Sequence, residues 1–210
     1  MKEVGRGTTV GLVSLRDSDK WIFVTMLASA CISLYSAFQL SWDAVILAGN
    51  PNALLTCNIN AAISCSTVAQ SWQASLLGFP NSFIGLMCEP VVITIAVSAL
   101  AGVKFPRWFM FAAQVVYFLG LLFALWLFTQ SAFVIGALCP YCLLITLGTT
   151  MVFFTLLHFN IRENNLYLSR KWQGRAEFIA RLGVDSALSF LLVFTVLLVI
   201  FIKYGTIIFG

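Results

Sequence analysis

The sequence predicts an all-α membrane protein of five transmembrane helices, and three observations carry that prediction. Apolar residues make up 60% of the 210 and charged residues only 10%, against about 25% charged in a soluble domain. Five stretches reach the ~20 apolar residues that cross a bilayer core of about 30 Å. Lysine and arginine are confined almost entirely to alternate connections between those stretches.

The expected spans are Trp21 to Leu40, Ser82 to Gly102, Trp108 to Thr129, Phe133 to Phe159 and Leu182 to Ile202. Lys2, Arg6, Arg16 and Lys20 precede the first; Lys104 and Arg107 join the second to the third; Arg162, Arg170, Lys171, Arg175 and Arg181 join the fourth to the fifth. The connections Ser41 to Asn81 and Gln130 to Ala132 carry neither Lys nor Arg, and only Lys203 falls on the far side. Positive charge stays on the cytoplasmic side, so the N-terminus is expected in the cytoplasm and the C-terminus outside. The first span reads as a retained signal anchor: its apolar core is too long for a cleaved signal, although Ala28 to Ala30 resembles a cleavage site.

The chain then divides into a cytoplasmic segment 1–20, a four-helix core 21–160, a cytoplasmic loop 161–181 and a fifth transmembrane helix 182–210. The net charge of +4 follows from this topology. No nucleic-acid partner is expected, because no soluble segment interleaves basic and aromatic residues at sufficient length.

Of six cysteines, four fall toward the outer side. Cys57 and Cys65 lie in the long outer loop, in water; Cys139 and Cys142 begin about seven residues inside the fourth span, a depth of roughly 10 Å. Disulfides persist on that side of a membrane. The loop pair alone is also compatible with a structural clip. Cys139-Pro140-Tyr141-Cys142 is a Cys-X-X-Cys pair, typical of thiol–disulfide interconversion or metal binding. A closed zinc site needs four N or S ligands, and haem attachment needs a histidine where Leu143 stands. The single histidine, His158, lies about 24 Å along the helix from Cys142, so a metal would have to recruit the loop thiols. Redox chemistry accounts for more of the residues. On a helix Cys139 and Cys142 share one face. If the chain bends at Pro140, Cys139 occupies a helix N-terminus, which favours its thiolate. A thiol pair immersed in the acyl region meets lipid-soluble quinones more readily than soluble proteins, whereas the loop pair meets soluble proteins. Together they describe a relay from water into the membrane.

Four segments carry a family resemblance: "CNINAAISC" (Cys57 to Cys65), "STVAQSWQ" (Ser66 to Gln73), "FPNSFIG" (Phe79 to Gly85) and "CPYC" (Cys139 to Cys142). Across about Lys20 to Asn160 the sequence resembles the vitamin K epoxide reductase family, especially its bacterial quinone-reducing members. The resemblance implies a four-helix core around a quinone, menaquinone or ubiquinone, capped by the outer loop and a short interfacial helix within Ser66 to Gly78, with Trp72 toward lipid or the quinone and Ser66 or Thr67 as its cap. It implies that Cys142 faces the quinone and pairs with Cys139. Cys65 attacks that disulfide, and Cys57 resolves the intermediate. Asn81 is implied to hydrogen-bond a quinone carbonyl, although helix capping explains an asparagine there equally well. Ser71 is implied to support the reactive cysteines. Thr146 stands where vertebrate members carry a quinone-contacting tyrosine, which favours plain quinone reduction over epoxide reduction. Many bacterial relatives continue into a fused thioredoxin-like domain; this sequence ends at Gly210, so the implied partner is a separate DsbA-like thioredoxin-fold protein in the periplasm, and the implied location is the bacterial inner membrane.

The competing readings are a reductase of vitamin K or its epoxide, an unrelated DsbB-type bundle, and a non-catalytic metal transporter or sensor with thiol ligands. Among other residues, Cys31 reads as structural, and Cys88 as structural or auxiliary. Glu89 reads as a proton relay to a reduced quinone or as the partner of a polar neighbour across helices, such as Gln114. Asp185 and Lys203 read as snorkelling residues, and His158 as an interfacial one.

Overall fold

The computed structural model describes residues 18–60 and 62–209. Lys2, Arg6 and Arg16, and with them most of the expected N-terminal segment, lie outside the described residues. Five helices are long and apolar enough to cross a membrane: α1 (Asp19–Gly49), α3 (Ser82–Leu100), α4 (Arg107–Thr129), α5 (Pro140–Arg162) and α7 (Val184–Phe209). Two shorter helices connect them, α2 (Cys65–Ala69) and α6 (Arg170–Arg181). The protein is thus an all-α, multi-pass membrane protein. The segment expected as the loop 161–181 contains α6, whose tryptophan and phenylalanine, Trp172 and Phe178, are exposed beside its cations.

Helix α5 is central: α1, α4 and α7 all pack on it, and α3 packs on α1. The core between them is built from residues such as Met26, Val92, Ile95, Met110, Val152 and Leu156. Two glycines let the helices approach. A Cβ on Gly148 of α5 would stand 2.0 Å from Ser33 Oγ and 3.1 Å from the Ser29 carbonyl oxygen of α1, and one on Gly85 of α3 would stand 2.8 Å from Ala37 Cβ. Small residues at such crossings are what allow close packing in lipid, where apolar burial alone gives helices no reason to associate.

Helix α1 is longer than the span read from the sequence. It runs nine residues past Leu40, through Trp42 and Asp43 to Gly49, because Asp43 is buried (6% exposed) against the following loop instead of marking an exit into water. The fourth span also begins later than expected. Residues Gln130–Ile135 continue α4 as a π-helical turn, Gly136 ends it at φ 76°, and α5 starts only at Pro140.

Helix α7 holds that turn. Lys203 Nζ and Tyr204 Oη both donate to the Ala132 carbonyl, the tyrosine at 2.9 Å, and Ser131 Oγ donates to the Ala137 carbonyl. At the other end of α7, Asp185 Oδ2 lies 2.7 Å from His158 Nδ1, and both side chains are buried. Lys203, Asp185 and His158 are therefore interhelical contacts in place of the interfacial or snorkelling residues expected. Cys31 is exposed on the outside of the bundle.

Candidate functional site

The four loop and helix cysteines meet at the end of the bundle where α1 gives way to the loop. After α1 the chain crosses Leu55 and Cys57 and turns at Asn60, whose Oδ1 accepts from the Ala62 and Ile63 N–H groups at 2.9 and 2.8 Å, the self-bonding turn asparagine favours. Residues 62–64 then lie alongside Leu138: Leu138 N donates to the Ala62 carbonyl (2.8 Å) and Ser64 N to the Leu138 carbonyl (3.0 Å). Ser64, and not Ser66 or Thr67, caps α2, accepting from Thr67 N at 3.3 Å. This backbone zipper places Cys65, the first residue of α2, beside the segment leading into Cys139.

Cys57 and Cys65 form a disulfide with Cα atoms 5.7 Å apart. They are 6% and 0% exposed, so the pair expected free in water is covered. Leu47, Leu55 and Val68 pack around it, together with Cys139 and Cys142. Cys139 and Cys142 are thiols. Cys139 is the N-cap of α5, Pro140 takes the first helical position, and the Cys142 N–H donates to Cys139 Sγ at 3.3 Å. Proline fits there because its missing N–H would be unpaired in any case, and the free N–H groups at a helix start stabilise negative charge on the sulfur.

Beneath these sulfurs lies a cavity of about 590 Å³, within the ~300–1,000 Å³ range of small-molecule sites. Cys65, Cys139 and Cys142 contribute to its wall, with apolar residues including Val68, Ile84, Phe123 and Leu143. The polar lining includes Ser71, Asn81, Glu89, Tyr117 and Thr146. A family model described as the vitamin K epoxide reductase family matches residues 24–157, more than half of the chain. The chain belongs to this family. No curated protein matches it significantly. As a member of the vitamin K epoxide reductase family it is a membrane oxidoreductase, in a family whose members use quinones.

The match to the vitamin K epoxide reductase family covers all four cysteines of the site, and the other expected residues fall as follows. Asn81 Nδ2 donates to the Gln73 carbonyl at 2.6 Å, it makes no side-chain cap, and its Oδ1 is buried without a partner. Because the bond to a carbonyl fixes which end of the amide is nitrogen, the orphaned atom is an acceptor, and one N–H remains for a ring oxygen. That orphan and the apolar volume fit a quinone or its hydroquinone. Ser71 lines the cavity but spends its hydroxyl proton on the Val68 carbonyl (2.6 Å). Thr146 lines it too, with Oγ1 donating to the Cys142 carbonyl (2.9 Å). Trp72 does not line it: the ring is 64% exposed and lies edge-on to Trp126, because the 3-10 turn Trp72–Ser75 points Gln73 inward in its place.

Two residues were missed in the sequence. Asp43 Oδ2 is 3.6 Å from Cys57 Sγ, and Tyr117 donates to Glu89 Oε2 at 2.9 Å, so the partner of Glu89 is not Gln114, which instead accepts from Asn160 at 3.1 Å. Asp43, Cys57 and Cys65 offer three possible ligand atoms within 4.8 Å of one another. With the two sulfurs bonded to each other, neither is the thiolate a structural zinc site requires, and the group reads as a redox pair with an acid beside it.

Proposed function

We propose that the protein is a membrane thiol:quinone oxidoreductase that reoxidises a DsbA-like thioredoxin-fold partner on the extracytoplasmic side of the bacterial inner membrane and so supports disulfide formation. The observation that carries this reading is the shared cavity wall: one cysteine of the loop pair, Cys65, and both cysteines of the Cys-X-X-Cys pair line one apolar volume of about 590 Å³. The charge distribution supports the orientation, since the connection bearing Cys57 and Cys65 has no Lys or Arg.

The steps follow from the positions. A dithiol of the partner reduces the Cys57–Cys65 disulfide and is itself oxidised. The Cys65 thiolate attacks a Cys139–Cys142 disulfide at Cys139, forming a Cys65–Cys139 bond and releasing Cys142. Cys57 then attacks Cys65, restoring the loop disulfide and leaving Cys139 and Cys142 as two thiols. The arrangement of a loop disulfide over two helix thiols corresponds to this point of the cycle. A quinone supplies a two-electron sink, and Cys142 and Asn81 are the residues that would face it. Because the loop disulfide is buried, exchange with the partner requires the loop to open, while burial keeps water and stray thiols from the internal step. The periplasm is held oxidising by such coupling and not by a redox buffer.

The test is direct. The purified full chain, given a reduced thioredoxin-fold donor and a short-chain ubiquinone or menaquinone, is expected to oxidise the donor and reduce the quinone in equal amounts. Stoichiometric zinc or copper in the purified protein, with no quinone reduction, would instead support a thiol-ligand metal protein.

Asp43 supplies a second expectation. A carboxylate at 3.6 Å can take the Cys57 proton as that thiol becomes the resolving nucleophile, and positioned acid–base groups contribute typically about 10²–10⁴-fold. Asp43→Asn is expected to slow turnover by about 10²-fold, at the lower end of that range, and to accumulate the Cys65–Cys139 species, visible on non-reducing gels. Unchanged turnover with no accumulation would remove Asp43 from the mechanism.

A further inference from the structure

We propose that Glu89, positioned by Tyr117, gives a proton to the quinone in this cavity, a role that rests on the quinone-reducing reading above. The two side chains sit within the apolar spans of α3 and α4, are 4% and 5% exposed, and both line the cavity bordered by Cys139 and Cys142. The Tyr117 hydroxyl donates to Glu89 Oε2 at 2.9 Å, and this is the only hydrogen bond of the carboxyl group among the described residues. A carboxyl group has room for several more partners, and that capacity is left to whatever occupies the cavity.

An acid in this place is costly, because burying an ionisable group in an apolar medium is expensive unless it is well partnered, and ionisable residues inside membranes mark function. A neutral amide would accept the Tyr117 hydrogen bond equally well at lower cost. What an amide cannot do is release a proton. Glu89 lies eight residues after Asn81 on the same helix, about 12 Å along its axis, so the α3 wall offers two polar stations, and a quinone carries oxygen at two opposite edges.

The balance closes. Oxidation of the Cys139 and Cys142 thiols to a disulfide releases two electrons and two protons, which is what reduction of a quinone to a hydroquinone takes up. Glu89 gives its carboxyl proton to the oxygen on its side and becomes a carboxylate. One thiol proton goes to the other oxygen, and the second returns Glu89 to its acid form. The net transfer is two electrons and two protons from dithiol to quinone, with Glu89 unchanged. Tyr117 acts as a positioning residue through Glu89.

The test uses the full chain in lipid nanodiscs with short-chain ubiquinone and short-chain menaquinone as probes. By infrared difference spectroscopy, adding at least one of these quinones is expected to shift a protonated-carboxyl C=O band. That band should be absent in Glu89→Gln and displaced in Tyr117→Phe. In single turnover of the fully reduced protein, Glu89→Gln is expected to slow quinone reduction by about 10²–10⁴-fold, with thiol exchange with the donor unchanged and Glu89→Asp recovering part of the rate. Glu89→Asp and Tyr117→Phe decide the matter if Glu89→Gln does not accumulate. An active wild type with an unimpaired Glu89→Gln, or a carboxyl band indifferent to both quinones, overturns this role alone. A wild type that exchanges thiols with the donor yet reduces neither quinone overturns the acceptor assignment and this role with it.

Discussion

Replacing Cys142 with alanine is expected to abolish quinone reduction with every thiol donor, while the Cys57–Cys65 pair continues to exchange with a protein dithiol. The expectation follows from where electrons must leave. Cys142 is only half-buried and borders the cavity, whereas Cys139 is 1% exposed and is held at the helix start, where the Cys142 N–H donates to its sulfur. A single remaining thiol cannot close the disulfide that a two-electron delivery requires, so Cys139→Ala is expected to stop turnover as completely. The two variants differ in what they retain. Cys142→Ala keeps the Cys139 thiol, which can attack the Cys57–Cys65 disulfide at Cys65 and release Cys57 as a thiol, so a Cys65–Cys139 disulfide forms by exchange with no outside oxidant; Cys139→Ala cannot form it. Thiol alkylation followed by non-reducing electrophoresis reads this difference without reference to the quinone. Multiple turnover by either variant at the wild-type rate would place the exit of electrons elsewhere.

What could be read from the chain was set by which forces act locally. Hydropathy identified five membrane helices because the bilayer demands length and apolarity along one segment at a time. It failed at boundaries where the segment alone does not decide. The first span reads as ending at Leu40, and α1 instead stays helical to Gly49 with Asp43 buried under the folded loop. The run from Gln130 into Cys139 is apolar throughout, so the π turn, Gly136 and the late start of α5 left no mark in hydropathy. Pro140 was the available signal, since proline is at home in the first turn of a helix and disruptive within one. The cysteines were legible from spacing and chemistry. Their burial was not, because it depends on pairing between residues 62–64 and Leu138, which are far apart in sequence. For the same reason Glu89 stood out as an acid in a span, but its partner did not: Tyr117 is one of several polar residues on another helix, and only the packing of α3 and α4 around the cavity selects it. Trp72 failed in the opposite sense, as the 3-10 turn sends its ring outward and Gln73 inward.

Cys65→Ala divides the relay at its internal step. With a reduced thioredoxin-fold donor, quinone reduction is expected to vanish, because the donor's electrons reach Cys139 only through Cys65. With a small membrane-permeant dithiol such as dithiothreitol, quinone reduction is expected to persist, since that reagent reaches the Cys139–Cys142 disulfide without the loop. The magnitude of the first loss follows from geometry. The pairing of Ala62 and Ser64 with Leu138, at 2.8 and 3.0 Å, fixes Cys65 beside the Cys139 segment, and well-oriented intramolecular groups act at effective concentrations of about 10⁵–10⁸ M. No thiol on a protein in solution approaches that, and the burial of Cys139 excludes a bulky donor from direct attack. Comparing the two donors on one variant therefore separates a broken relay from a misfolded protein: loss with both donors indicates that the loop disulfide is needed for structure. Retention with both would mean that the partner reaches the Cys139–Cys142 pair unaided, and the loop cysteines would then be a clip over the site and not a step in the path.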